Sequence, residues 1–311
     1  MSLERLSGLL PKELSASAAR DKIDPATLRV KLPELKELQV SDDAIRRAQP
    51  LLLDVIAQNK ICDSCTGYEH CGKMGDAKGM QYRLDLYNGQ LVLKTSYCSP
   101  FLEYLALSRA ARYQSYSERT PYDLQLAFAN FPKSQRVRKP KLFAAAQTFA
   151  NQYKPGDDMK GLYIFGPAGV GKTHLLHAMI NRLEERKVPA IFVRVDALFD
   201  RLRSMIGEGK DIEPALETFS TVPVLALDEI GQERPNEFTL EKLFRIVNQR
   251  FAAKLPTLYT SNFAPPNLYD RMPLDMANFI DPLKSRIIGG TRVGYLDGTD
   301  YRIANAEILD V

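Results

Sequence analysis

The chain has 311 residues, 45% hydrophobic and 26% charged, with a formal net charge of +4. That is the balance of a soluble globular protein, long enough for two domains and apolar enough to fold without disulfides. The mild charge permits contact with nucleic acid without demanding it. The opening MSLERLSGLL has no long apolar run and no cleavage signal, and no segment is long enough to cross a bilayer, which predicts a cytoplasmic protein.

From Met1 to about Pro100 the chain opens with a polar segment, followed by a helix starting near Ser41, a side chain suited to an N-cap. Ile45, Leu52 and Ile56 recur at helical spacing, and Pro50 predicts a kink or split between them. All four cysteines then fall between Cys62 and Cys98. In a reducing compartment such clustering favours a metal over a disulfide. Leu84 and Leu86 alternate with polar residues before Asn88-Gly89, as do Leu91 and Leu93 after it, which predicts a β-hairpin.

From about Phe101 to Asp158 the chain is basic, with Arg109, Arg112, Arg119, Lys133, Arg136, Arg138, Lys139 and Lys141. Leu102, Leu105 and Leu107 predict a helix, and the rest reads as a linker and the opening helix of the next domain, its charges a solvated face or a DNA contact. From Gly161 strands alternate with helices: GLYIF, a helix from His174 to Arg186, AIFVRV, helical ALFDRLRSMI, VPVLALD, helical TLEKLFRIVNQRFAAK and TLYTS. Such alternation predicts an α/β fold with a parallel sheet covered on both faces.

Gly166-Pro167-Ala168-Gly169-Val170-Gly171-Lys172-Thr173 follows a strand and opens a helix, the context required of a phosphate-binding P-loop. Its glycines let backbone N–H groups turn toward phosphate oxygens, and His174, the next residue into the helix, is also expected to bind the nucleotide. Lys172 is expected at the β- and γ-phosphates and Thr173 on Mg²⁺. Asp228 and Glu229 end the apolar strand from Val224, where ligands bind in such sheets. Asp228 is expected to hold Mg²⁺ and Glu229 to polarise the attacking water; the plainer alternative is a solvated acidic pair. Asn262 ends the next strand, in reach of the γ-phosphate or the water, unless it only shapes the turn before Pro265-Pro266.

The order P-loop, Asp228-Glu229, Asn262 and Leu283-Lys284-Ser285-Arg286 resembles the initiator and helicase-loader AAA+ ATPases, over roughly Tyr122 to Val311. The resemblance makes Asn262 a sensor and Arg286 a finger acting on a neighbouring subunit's γ-phosphate, so that hydrolysis requires self-association. No helical lid fits after Arg286, as in the DnaC/DnaI-type loaders, which have a reduced or absent lid. Arg292 and Arg302 are then the candidates for a second sensor.

Cys62, Cys65, Cys71 and Cys98 resemble the zinc-bearing, helicase-binding domain of that group, with His70 a spare ligand; tetrahedral zinc takes such thiolates. Free buried cysteines are the alternative, and no thioredoxin-like pattern surrounds the Cys-x-x-Cys pair. The implied layout is a zinc domain over 1–105, a linker over 106–135 and an AAA+ domain over 136–311. The implied function is a primosomal replicative-helicase loader binding ATP/ADP, Mg²⁺, Zn²⁺, the helicase hexamer and single-stranded DNA, with Arg201, Arg203 and Lys210 either strand contacts or ordinary exposed basic residues. An IstB-like transposition ATPase and a nucleotide-gated adaptor with little hydrolysis are the rival readings.

Overall fold

The structure is a computed structural model, and it describes residues 23–233, 235–270, 272 and 276–301. The chain divides into two compact units, Met1–Leu107 and Ser108–Val311.

Among the described residues of the first unit four α-helices precede a hairpin: α1 (Pro25–Lys31), α2 (Glu34–Glu37), α3 (Asp42–Arg47), α4 (Gln49–Asp63), β1 (Met80–Tyr87) and β2 (Gln90–Tyr97). Ser41 caps α3 by accepting from Ala44 N–H. Pro50 splits the helix as expected, since α3 stops at Arg47 and the proline sits in the first turn of α4, where its missing N–H costs nothing. Asn88 and Gly89 have φ of 50° and 73°, the left-handed pair that closes a two-residue hairpin, and Tyr87 pairs with Gln90 across them. Leu28, Leu35, Ile45, Leu52, Val55 and Leu84 form the unit's core.

Helix α5 (Ser99–Tyr116) runs through the division between the units. The second unit continues with α6 (Lys133–Arg138), α7 (Pro140–Gln152), β3 (Gly161–Phe165), α8 (Lys172–Glu185), β4 (Ala190–Arg194), α9 (Val195–Gly207) and α10 (Glu213–Thr221). It ends with β5 (Val224–Asp228), α11 (Glu237–Ala252), β6 (Thr257–Ser261), α12 (Ala277–Gly290) and β7 (Thr291–Tyr295). The strands form one parallel sheet in the order β4-β5-β6-β3-β7.

Alternate residues of β3, β4, β5 and β6 feed opposite cores. Leu162, Ile164, Phe192, Ala226 and Leu258 pack with α7 and α8, while Tyr163, Ile191, Val193, Leu225 and Tyr259 pack with α9 to α12. Burial on both faces is why these strands read as continuous apolar runs. At the amino-terminal end of the strands, Arg250 is fully buried. It donates to the carbonyls of Phe219, Val222 and Pro256 and to the Thr257 hydroxyl, and burial lowers its guanidinium pKa to about 10.

Two features differ from the sequence expectation. Beyond Arg286, where the sequence reading placed no strand, TRVGY forms β7, a fifth strand beside β3. Residues expected as linker are packed: Leu126 and Phe131 are buried, and Arg119 holds Asn181 and Glu184 of α8. No helix among the described residues is long and apolar enough to cross a membrane.

Candidate nucleotide site

The P-loop connects β3 to α8 at the carboxyl end of the sheet. Gly166 and Gly169 have φ of 152° and 74°. A Cβ on Gly166 would meet Leu296 O at 1.8 Å, and one on Gly169 would meet Asp300 Oδ1 at 1.9 Å. The positive φ favours glycine at both positions, and at Gly166 the backbone carbonyl of Leu296 leaves no room for a side chain. The contacts arise because the chain after β7 crosses the back of the loop: Leu296 N–H donates to Phe165 O, Tyr301 N–H donates to Gly169 O, and the Tyr301 hydroxyl bonds Ser134 Oγ.

A cleft of about 420 Å³ opens above the loop, lined among others by Gly169, Lys172, Thr173, His174, Glu229 and Asn262. Lys172 Nζ donates to Gly166 O at 2.9 Å, Pro167 O at 2.6 Å and Asn262 Oδ1 at 2.8 Å. The Thr173 hydroxyl lies 3.2 Å from both oxygens of Asp228. Asp228 is 2% exposed, and burial pushes its carboxyl up to about 6, against the hydrogen bonds from Thr260 and Thr173.

Thr260 is a site residue the sequence reading missed. Its hydroxyl donates to Asp228 Oδ1 and accepts from Glu229 N–H at 3.0 Å, joining the last residue of β5 and the acid that follows it to the neighbouring strand. Glu229 has φ of 60°, which turns the chain out of the sheet into the cleft. A further bond fixes the turn that follows, from Ser261 Oγ to Ile230 O at 2.7 Å. The sequence places Thr260 at a strand end, but only the β5–β6 register sets it beside Asp228.

His174 is half-buried against the once-expected linker, where its Nε2 meets Ala127 O at 3.2 Å and Asn130 Oδ1 at 3.0 Å; burial lowers its pKa. One turn on, His177 is 1% exposed and its Nε2 lies 3.4 Å from Asp123 Oδ1. Burial pushes its imidazole well below the usual value, although Asp123 opposes the shift. Asp123 and Tyr122 also line the cleft, and neither was singled out from sequence.

Arg286 lies outside this chain's own cleft, on α12 against α11, where its Nε donates to Asn248 Oδ1 at 3.1 Å. Arg292, the second residue of β7, also lies away from the cleft lining, and Arg302 is outside the described residues. Arg201 donates to Ser115 O and stacks on Tyr116, Arg203 pairs with Asp200, and Lys210 pairs with Glu208.

The four-thiolate zinc site expected of Cys62, Cys65, Cys71 and Cys98 is not supported. Among the described residues no group of three or more His, Cys, Asp or Glu side chains is placed to hold a metal ion. The backbone joins the cysteines in pairs instead: Cys65 N–H bonds Cys62 O in a turn, while Cys71 and Cys98 both lean on Gly79. His70 is exposed. The Gly79 N–H, more than that of Lys73, holds the Cys71 thiol below its ordinary pKa against the effect of burial.

A five-stranded parallel sheet, a P-loop at its carboxyl end, a polar residue at the end of the adjacent strand and two acids at the end of the strand beyond it define a nucleotide-hydrolysing P-loop protein of the AAA+ class. The profile of the AFG1-like ATPases matches residues 107–308, and the chain belongs to that family. It is similar to the replicative helicase loader DnaI of Bacillus subtilis (strain 168), 28% identical over 233 residues, which cover 74% of this chain and 73% of that one. A crystal structure of DnaI matches 61% of this chain and 98% of its own with a TM-score of 0.51 at 27% identity. A putative ATP-binding protein in an insertion sequence of Mycobacterium tuberculosis is 24% identical over 207 residues, 65% of this chain and 80% of that one.

Proposed function

We propose that this protein is an ATP-hydrolysing loader of the replicative DNA helicase, acting with single-stranded DNA. The observation that carries the reading is the reach of the match with DnaI. It covers 74% of this chain, a larger share than the second unit occupies, so it extends into the first unit. The match with the insertion-sequence protein covers a smaller share of the chain, 65%, at lower identity, and so supports the transposition reading less.

In this reading the P-loop amides and Lys172 grip the β- and γ-phosphates. To reach them, Lys172 exchanges its loop carbonyls for phosphate oxygens. Thr173 and Asp228 are an oxygen-donor pair suited to Mg²⁺, which when bound neutralises charge on the phosphates. Glu229 takes a proton from the attacking water, and Asn262 orients that water or the γ-phosphate. Glu229 also argues against an adaptor with negligible turnover, because a bonded turn aims its carboxylate into the cleft. Arg286, which lies outside its own cleft, completes a neighbour's site when subunits assemble.

The test mixes the full-length protein with a purified replicative helicase hexamer, ATP and circular single-stranded DNA. The expected result is a co-eluting complex and helicase transferred to the circle only with ATP. No complex with the helicase, alongside a complex with a transposase, would move the assignment to the transposition reading.

A further inference from the structure

The two edges of the five-stranded sheet differ. Along β4 the edge is occupied: Glu118 N–H donates to Phe192 O at 2.9 Å, and the Ser117 hydroxyl bonds both the N–H and the C=O of Phe192. Along the other edge, β7 has one strand partner among the described residues, β3. A strand with one free side offers a ladder of amides and carbonyls to an incoming chain.

A groove of about 460 Å³ runs beside β7. Its floor includes Leu142, Ala145 and Leu162, and its rim carries Arg138, Lys141 and Arg292. On the strand itself Val293 is 48% exposed. One carboxylate, Asp297, serves both Arg138 and Lys139, at 3.8 and 3.2 Å, while Lys141 and Arg292 are exposed. The basic stretch around α6 and α7 thus forms the cationic wall of an apolar trough beside a half-paired strand.

We propose that this groove takes an extended acidic segment of a partner protein, added to the sheet as a strand alongside β7. Main-chain hydrogen bonds supply the pairing, aliphatic side chains seat on Leu142 and Leu162, and carboxylates meet Arg138, Lys141 and Arg292. Single-stranded nucleic acid would meet the same cations, but it also needs a free aromatic face for its bases. The Tyr295 ring is engaged by Lys139 Nζ at 4.9 Å and by Phe165 at 5.0 Å. The aliphatic floor suits side chains rather than bases. This inference is independent of the nucleotide and helicase assignments.

The probe is a short fluorescein-labelled peptide of alternating glutamate and valine, followed by fluorescence anisotropy with the full-length protein. Its fully N-methylated form and a labelled oligothymidylate are the controls. The plain peptide is expected to bind, with affinity reduced at least about tenfold by N-methylation and by Arg138→Glu combined with Lys141→Glu. Both substituted residues are exposed and outside the cleft, so ATP turnover and circular dichroism should not change; Val293→Glu is a second, independent block expected to weaken binding in the same way. Equal binding of the N-methylated peptide would reduce the groove to a charged patch and overturn the proposal. So would an affinity indifferent to the substitutions, or oligothymidylate binding there while the peptide does not.

Discussion

Lys172 Nζ donates to Asn262 Oδ1 at 2.8 Å, joining the P-loop lysine to the polar residue at the end of the neighbouring strand. The two side chains should nonetheless separate in function. Lys172→Ala should weaken ATP binding at least about tenfold, because the main cationic contact to the phosphates is gone. Asn262→Ala should bind ATP within about threefold of the parent while turnover falls about ten- to a hundredfold. Titration with a fluorescent ATP analogue and steady-state hydrolysis separate the two, and an Asn262 variant with full turnover would remove that residue from the mechanism.

Thr260→Val keeps shape and deletes the hydroxyl shared by Asp228 and Glu229 N–H. The loss should cost about 1–3 kcal/mol in stability, since buried polar groups lose a partner. Turnover should fall with ATP affinity little changed, because the hydroxyl sets the direction of Glu229 rather than touching phosphate. Chemical denaturation and a kcat measurement check both.

Arg286→Ala should leave ATP affinity intact in the isolated subunit and depress turnover by at least about a hundredfold only where subunits assemble. Mixing Arg286→Ala with Glu229→Gln subunits should restore part of the activity, because each supplies what the other lacks. Loss of ATP affinity in the isolated Arg286 variant would place the guanidinium in its own site and sink the assignment.

His177 ties stability to pH. Its imidazole is held neutral in the folded chain by burial, so below about pH 6.5 the unfolded chain binds the extra proton first. Its contribution is therefore complete above that pH and is lost as pH falls toward the lowered folded value. About 1–2 kcal/mol should disappear between pH 7 and pH 5, and His177→Gln should flatten that slope. Urea denaturation across the range reads it directly.

What could be read in advance was what the chain encodes locally. The P-loop, the Asp228-Glu229 strand end, the Ser41 cap and the Asn88-Gly89 turn each depend on a few consecutive residues. Strand β7 escaped notice because TRVGY is short, contains glycine and has one exposed side, so it acquires strand character from β3. The segment around Phe131 looked like linker because its polar residues are bonded to partners far along the chain, such as Asn181, whose amide donates to Asp123 O and Leu126 O. Thr260 was visible only as a residue type, since strand order is not written in any one strand. The cysteines warn in the opposite direction: tempting spacing did not bring four thiols together.

Arg250 divides the sheet into a fixed end and a working end. Its guanidinium fastens the carboxyl end of α10 to the start of β6, at the end of the sheet opposite the P-loop. Deuterium should enter those amides last. Rearrangement on binding or losing a phosphate should accordingly run through the opposite rim, where Lys172, Glu229 and the crossing chain at Tyr301 meet, with the anchored end serving as the fulcrum.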